Sequence, residues 1–107
     1  MTVQWEEAYK RVEAARAKDR PLGRDYIDHL ISDFTELHGD RRFADDKAIA
    51  AGIGKLKNMP VTVIAIDKGR SVREKVACNF GSPHPEGYRK ALRQMKLAEK
   101  FKRPVLC

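Results

Sequence analysis

Apolar residues recur along this chain with two different periods, and each period predicts a kind of element. Between Gln4 and Lys18 the residues Trp5, Ala8, Tyr9, Val12 and Ala15 stand among charges at helical spacing, which predicts an amphipathic helix with a narrow apolar stripe. Pro21 and Gly23 break it. From Arg24 to Leu37 a wider stripe, Tyr26, Ile27, Leu30, Ile31, Phe34 and Leu37, predicts a second helix that docks on a core and stops at Gly39.

The period then changes. After a polar, turn-like stretch from His38 to Lys47, the segment Ala48 to Leu56 reads as a strand whose Gly52 and Gly54 mark a close backbone approach by a neighbour. Lys57 to Pro60 make a turn, and Val61 to Ile66 form a continuous apolar run rich in β-branched residues, the pattern of a strand buried on both faces. These two strands are expected to pair as an antiparallel hairpin. Asp67 to Gly87 reads as a long functional or mobile loop. It leads to the strongest helical pattern in the sequence, with Tyr88, Ala91, Leu92, Met95, Ala98 and Phe101 on a core face and Arg89, Lys90, Arg93, Lys96, Lys100 and Lys102 around the other. Pro104 ends that helix, and Val105, Leu106 and Cys107 begin another buried strand, parallel to the Val61 strand through a crossover. The organisation expected is a helical segment over residues 1–37 and an incomplete ββα unit of an α/β domain over residues 38–107, cut off within its next strand.

Charge narrows the list of partners without choosing among them. Lys and Arg number 22 against 15 acids, a formal charge of +7, so an anionic partner suits the chain: nucleic acid, acidic protein or a phosphate-bearing small molecule. Cys78 and Cys107 belong to no CxxC pair or His-rich cluster, which argues against a disulfide framework or zinc site and fits a reducing cytoplasm. No signal-like or membrane-spanning apolar run occurs. Asp45 and Asp46 are read as a turn or cap before the strand rather than a metal pair, since adjacent side chains diverge and no third ligand follows.

The run from Asn79 to Arg93, Asn-Phe-Gly-Ser-Pro-His-Pro-Glu-Gly-Tyr-Arg-Lys-Ala-Leu-Arg, closely resembles the signature of the carboxyltransferase alpha subunit family of bacterial acetyl-CoA carboxylase. His38-Gly39-Asp40-Arg41, Asp45-Asp46 with Ala48-Ile49, Gly52-Ile53, Pro60-Val61 and Ala98-Glu99-Lys100-Phe101 before Pro104 extend the resemblance over roughly Arg20 to Cys107. It departs from the family at Ala65-Ile66-Asp67 and at Ser82. The resemblance implies a partial crotonase-type fold of ββα units. It also implies an activity: transfer of a carboxyl group from carboxybiotin on a carrier protein to acetyl-CoA, giving malonyl-CoA for fatty-acid synthesis. The implied partners are a beta subunit in an α2β2 assembly, biotin carboxyl carrier protein and biotin carboxylase. Biotin is carried by the carrier protein, not by this chain, and no metal is implied here.

Enolate formation at acetyl-CoA places negative charge on a thioester oxygen, a task for paired backbone N–H donors. In the family those donors come from glycine-rich turns that correspond to positions beyond Cys107, so no catalytic residue is assigned within the chain. The residues left as candidate substrate contacts are Lys68, Gly69 and Arg70 in the basic loop, then Asn79, Gly81, His84 and Arg89. Simpler readings stand beside them: a solvated basic face for the loop, backbone turns for Gly81 and Gly87, a helix cap for His84, a helix-dipole role for Glu86, an inert thiol for Cys78, and an anchor to a neighbour or the sheet for Trp5. Two other functions compete. One is a related acyl-CoA carboxyltransferase or decarboxylase subunit. The other is a basic nucleic-acid-binding module, disfavoured by 7% aromatic content and the lack of any recognised nucleic-acid motif.

Overall fold

The computed structural model describes residues 2–107, with side chains from residue 4. Its elements are α1 (Thr2–Ala15), α2 (Gly23–Leu30), β1 (Ser32–Leu37), β2 (Ile49–Leu56), β3 (Met59–Ile66), α3 (Val72–Ala77), α4 (Pro85–Lys100) and β4 (Val105–Leu106). The strands form one sheet in the order β1-β2-β3-β4, with β1, β2 and β3 antiparallel and β4 parallel to β3.

The hairpin forms as expected. Lys57 and Asn58 both adopt positive φ, +48° and +68°, the two-residue turn whose twist matches that of the strands it joins. Met59 and Pro60, expected in the turn, instead open β3 opposite Leu56 and Lys55. Val61 through Ile64 are buried without a break. Val61 and Val63 face a cluster with Ile27, Ile31 and Ala50, whereas Ile64 faces Ile49 and Ala51 on the other side. Thus α2 covers one face of the sheet and α4 the other.

Three expectations are corrected. Residues 32–37, read as the second half of a helix within the helical segment 1–37, are strand β1. Ile31 turns extended at φ −106°, ψ 125°, and Asp33 takes φ +52° where the β1–β2 register slips. Pairing with β2 decides the state: a Cβ on Gly52 would collide with the Thr35 carbonyl oxygen, and one on Gly54 with the Ile31 side chain, so two glycines let β1 close in. The close approach read from these glycines is therefore present. Second, the long loop is interrupted by α3 and a 3₁₀ turn at Asn79–Gly81. Ser71 Oγ accepts from the Glu74 N–H at 3.2 Å while the Glu74 carboxylate accepts from the Ser71 N–H at 3.4 Å, a capping box that starts the helix.

The third correction concerns α4. Its buried positions are Gly87, Lys90, Gln94 and Ala98, and Ala91 packs beside them, whereas Tyr88, Leu92, Met95 and Phe101 are exposed. Small residues let the helix sit close to the sheet: a Cβ on Gly87 would lie 2.5 Å from Asp46 Oδ2. At that approach the Lys90 side chain reaches the start of β2, where Ile49 and Asp46 present carbonyl oxygens at 2.6 and 3.2 Å. Helix α1 is exposed at every position from residue 4 to residue 15, Trp5 among them at 62%.

Candidate functional site

Parallel strands joined by a helical crossover leave a crevice beyond their carboxyl ends, and such crevices collect ligands. Here the crevice opens where β3 gives way to the loop at Asp67. Its floor is set by one arginine: Arg24, near the start of α2, places Nη1 and Nη2 2.9 and 2.6 Å from the two carboxylate oxygens of Glu36 on β1 and Nε 3.1 Å from Asp67 Oδ2. This fork-to-fork pairing with Glu36 raises the Arg24 pKa above its ordinary value and lowers that of Glu36. Asp67 in turn accepts the Gly69 N–H through Oδ1 at 3.0 Å, and its own N–H donates to the Ala48 carbonyl at 2.7 Å. Gly69 takes φ +80° and packs against the α3 backbone so tightly that a Cβ would lie 2.6 Å from the Glu74 carbonyl carbon. The loop is thus fixed in place by Arg24 and Asp67.

Two adjoining cavities result. The larger, about 450 Å³, is lined by Leu22, Arg24, Asp25, Lys47, Asp67, Gly69, Arg70, Glu74, Ala77 and Cys78. The smaller, about 170 Å³, shares Arg24, Lys47, Asp67 and Cys78 and adds Glu36, His38, Asp45 and Lys90. Charges in the larger one balance, three cations against three acids, and most are engaged internally. Arg70 Nη2 pairs with Asp25 Oδ2, whose pKa is held down first by the Leu22 N–H and then by Arg70. The Glu74 carboxylate accepts the Arg70 N–H at 2.9 Å, and its pKa is lowered by that bond and the one from Ser71. Lys47 has no acid partner among the described residues.

In the smaller cavity His38 Nδ1 lies 3.2 Å from Asp45 Oδ2, and Lys90 Nζ lies 2.8 Å from Asp45 Oδ1. Burial pushes the Asp45 carboxyl up, but the bonds from Lys90 and the Gly39 N–H outweigh it and hold the pKa at about 2. Asp46 accepts from Ala48 N–H and His84 N–H at 3.0 and 2.7 Å, so the Asp45-Asp46 pair caps backbone as its sequence position suggested. No group of three or more potential metal-ligating side chains occurs among the described residues. The Cys78 thiol is buried and its pKa is pushed up, by burial first and the Asp67 charge second, in keeping with an inert role.

The sequence-derived candidates divide between places. Gly69 and Arg70 line the larger cavity, and Lys68 joins them around a small pocket against Ala17, Lys18 and Arg20. Gly81 backs onto Lys68, its φ of +81° serving a turn. Asn79 Nδ2 donates to the Ser82 carbonyl at 3.0 Å. His84 occupies the N-cap position of α4, but its ring caps nothing; its N–H, donating to Asp46, is the group engaged. Arg89 points elsewhere, into a groove along α4, with Nε 2.7 Å from Asp40 Oδ2. Arg24, Lys47 and Asp67 went unread as site residues because they come from three distant segments and form no spaced motif.

The family model for acetyl co-enzyme A carboxylase carboxyltransferase-like proteins matches residues 3–107. The chain belongs to this family. The match starts well before Arg20, so the α1 segment, weak in the motif-based resemblance, is part of it. Among curated relatives, the acetyl-coenzyme A carboxylase carboxyl transferase subunit alpha of Ruminiclostridium cellulolyticum is 66% identical over 100 residues, covering 94% of this chain and 38% of that protein. The proteins of the same name from Clostridium botulinum (strain Alaska E43) and Bacillus thuringiensis are 60% and 59% identical over 99 residues, 92% of this chain and 36% and 31% of theirs. The chain thus spans about a third of the length of the curated relatives it matches.

Proposed function

We propose that this chain forms the N-terminal part of a carboxyltransferase alpha subunit. The whole protein, with a beta subunit in an α2β2 assembly, would move a carboxyl group from carboxybiotin to acetyl-CoA and yield malonyl-CoA for fatty-acid synthesis in the cytoplasm. The observation that carries the reading is the family match across residues 3–107, which includes the Asn79–Arg93 run that builds the turn into α4. The fold proposed is the first part of a crotonase-type domain, and the ββα-β order of β2, β3, α4 and β4 supports it. Biotin carboxyl carrier protein and biotin carboxylase complete the proposed assembly.

Within this chain the proposed role is to shape the biotin side of the site. The charge-balanced cavity of about 450 Å³ is within the size range of small-molecule sites, and its apolar lining of Leu22, Ala77 and Cys78 suits a polar but uncharged ring such as a ureido ring better than a cluster of phosphates. Gly69, Arg70 and Lys47 would contact such a ring, and Arg24 and Asp67 would hold the loop that presents them. When bound, carboxybiotin supplies the carboxyl group. The groups that stabilise the enolate belong to parts of the whole protein outside this chain.

The test is a chimera in which these residues replace the matching segment of the Ruminiclostridium cellulolyticum alpha subunit, assembled with that organism's beta subunit. Malonyl-CoA formation within about tenfold of the parent enzyme is expected. A folded, assembled chimera that makes none overturns the reading, and a preference for propionyl-CoA over acetyl-CoA replaces it with the related acyl-CoA enzyme.

A further inference from the structure

The outer side of α4 carries two parallel stripes, one cationic and one apolar, that lie partly or wholly open to solvent among the described residues. Arg89, Arg93, Lys96 and Lys100 recur every three or four residues along one line, about 16 Å long at the rise of an α-helix. Arg41 and Arg42 from the loop before β2 join them around a groove of about 430 Å³. Its single acid, Asp40, is fully buried and saturated: Oδ1 accepts from the N–H groups of Arg42, Phe43 and Ala44 at 2.9, 2.8 and 3.2 Å, and Oδ2 takes Arg89. Among the described residues no acid pairs with Arg41, Arg42, Arg93, Lys96 or Lys100. Arg93 is nonetheless ordered, since its Nη1 donates to the carbonyls of His38 and Gly39 at 3.3 and 3.0 Å and leaves its other N–H groups free.

Beside the cations, about a quarter turn round the helix, runs the apolar stripe Tyr88, Leu92 and Met95, 64%, 50% and 40% exposed. Leu92 also lines the groove, as does Leu97. We infer that this face of α4 is a docking surface for an acidic protein segment that carries aliphatic side chains among its carboxylates. The cations are spread along the helix rather than gathered on one point, and they run to its carboxyl end, where the helix dipole disfavours a concentrated anion such as a polyphosphate. A nucleic-acid backbone would match the spacing of charges but not the stripe beside them, which offers bases only one aromatic ring to stack on. An acidic, amphipathic chain matches both stripes at once.

The test is fluorescence anisotropy of the whole chain with a short labelled peptide of repeated Glu and Leu. Saturable binding that weakens with salt is expected, together with a loss of at least about tenfold in the Lys96→Glu/Lys100→Glu double variant, whose two sites are exposed and make no hydrogen bond or ion pair among the described residues, Lys100 only lying over the exposed Phe101 ring. Leu92→Gln should weaken binding severalfold, and circular dichroism confirms that both variants keep the fold. The inference is overturned if a matched Lys-Leu peptide binds as well, if the double variant binds unchanged, or if oligothymidylate of equal charge binds more tightly than the peptide. It is overturned equally if light scattering shows the chain pairing with itself through this face, with Leu92→Gln separating the copies and leaving peptide binding untouched.

Discussion

Lys90 Nζ lies 2.8 Å from Asp45 Oδ1, beneath a helix whose outward face is crowded with other lysines and arginines. Only this one is buried, at 1% exposure, and it makes two further bonds to the carbonyls of Ile49 and Asp46. It therefore ties α4 to the first residues of β2. Lys90→Met keeps most of the side-chain volume but strands three acceptors, and a loss of about 2–3 kcal/mol is expected, the cost of charged hydrogen bonds offset by partial rehydration of Asp45. Urea unfolding measures it. A change under about 0.5 kcal/mol would mean that the ammonium contributes nothing net.

Two carboxylates near that helix make the fold acid-sensitive. Asp45 is held at about 2 against an ordinary 3.8, and Asp40 is also lowered, chiefly by the Phe43 N–H and further by those of Arg42 and Ala44 and by Arg89. A group whose pKa falls on folding stabilises the folded state above its unfolded value and ceases to do so as pH drops through the folded one. Stability is therefore expected to be full above about pH 4 and to drain away toward pH 2. Urea midpoints at neutral pH and near pH 3 test this, and Asp40→Asn should shrink the difference between them.

Gln94 is fully buried on the same helix face, with neither its Nε2 nor its Oε1 hydrogen-bonded. Leaving an amide unpaired in a core costs about 1–3 kcal/mol, so Gln94→Leu should raise stability by about 1 kcal/mol. Thermal melting reads this directly. A lower Tm in the variant would show that the amide has found a partner, such as a buried water.

Lys90 and Gln94 show where the sequence stops being legible. Period alone located β2, β3, α4 and the strand after Pro104, because β-branched runs and helical spacing are local properties. Which side of α4 faces inward was not local. The large apolar residues Tyr88, Leu92 and Met95 announced a core face, yet Gly87 and Ala91 allow the closer approach and only the folded sheet supplies the carbonyls that make Lys90 acceptable inside. Strand β1 hid for a related reason: Tyr26 to Leu37 satisfies helical spacing, and the contrary instruction comes from Gly52 and Gly54 on another strand. Helix α3 was readable from Ser71 and Glu74, but the glycines and prolines around them argued for loop. Of the residues lining the larger cavity, Gly69 and Arg70 stand out in the sequence through the charge of their loop, whereas Arg24 and Asp67, which hold that loop, have no signature to give.

The order β1-β2-β3-β4 has a kinetic consequence. Every neighbour in the sheet is also the next strand in the chain, so the β1–β2–β3 meander can zip from the two-residue turn between β2 and β3 and the 38–48 connection without waiting for distant segments. Only β4 must return across α3 and α4 to find β3, and it is met there by just two rungs, Thr62 with Val105 and Val63 with Leu106. Closing that long connection costs more chain entropy than closing the hairpin, so the β3–β4 pairing is expected to form after the meander. The meander thus depends on local contacts, and the crossover on a segment that must come back to it.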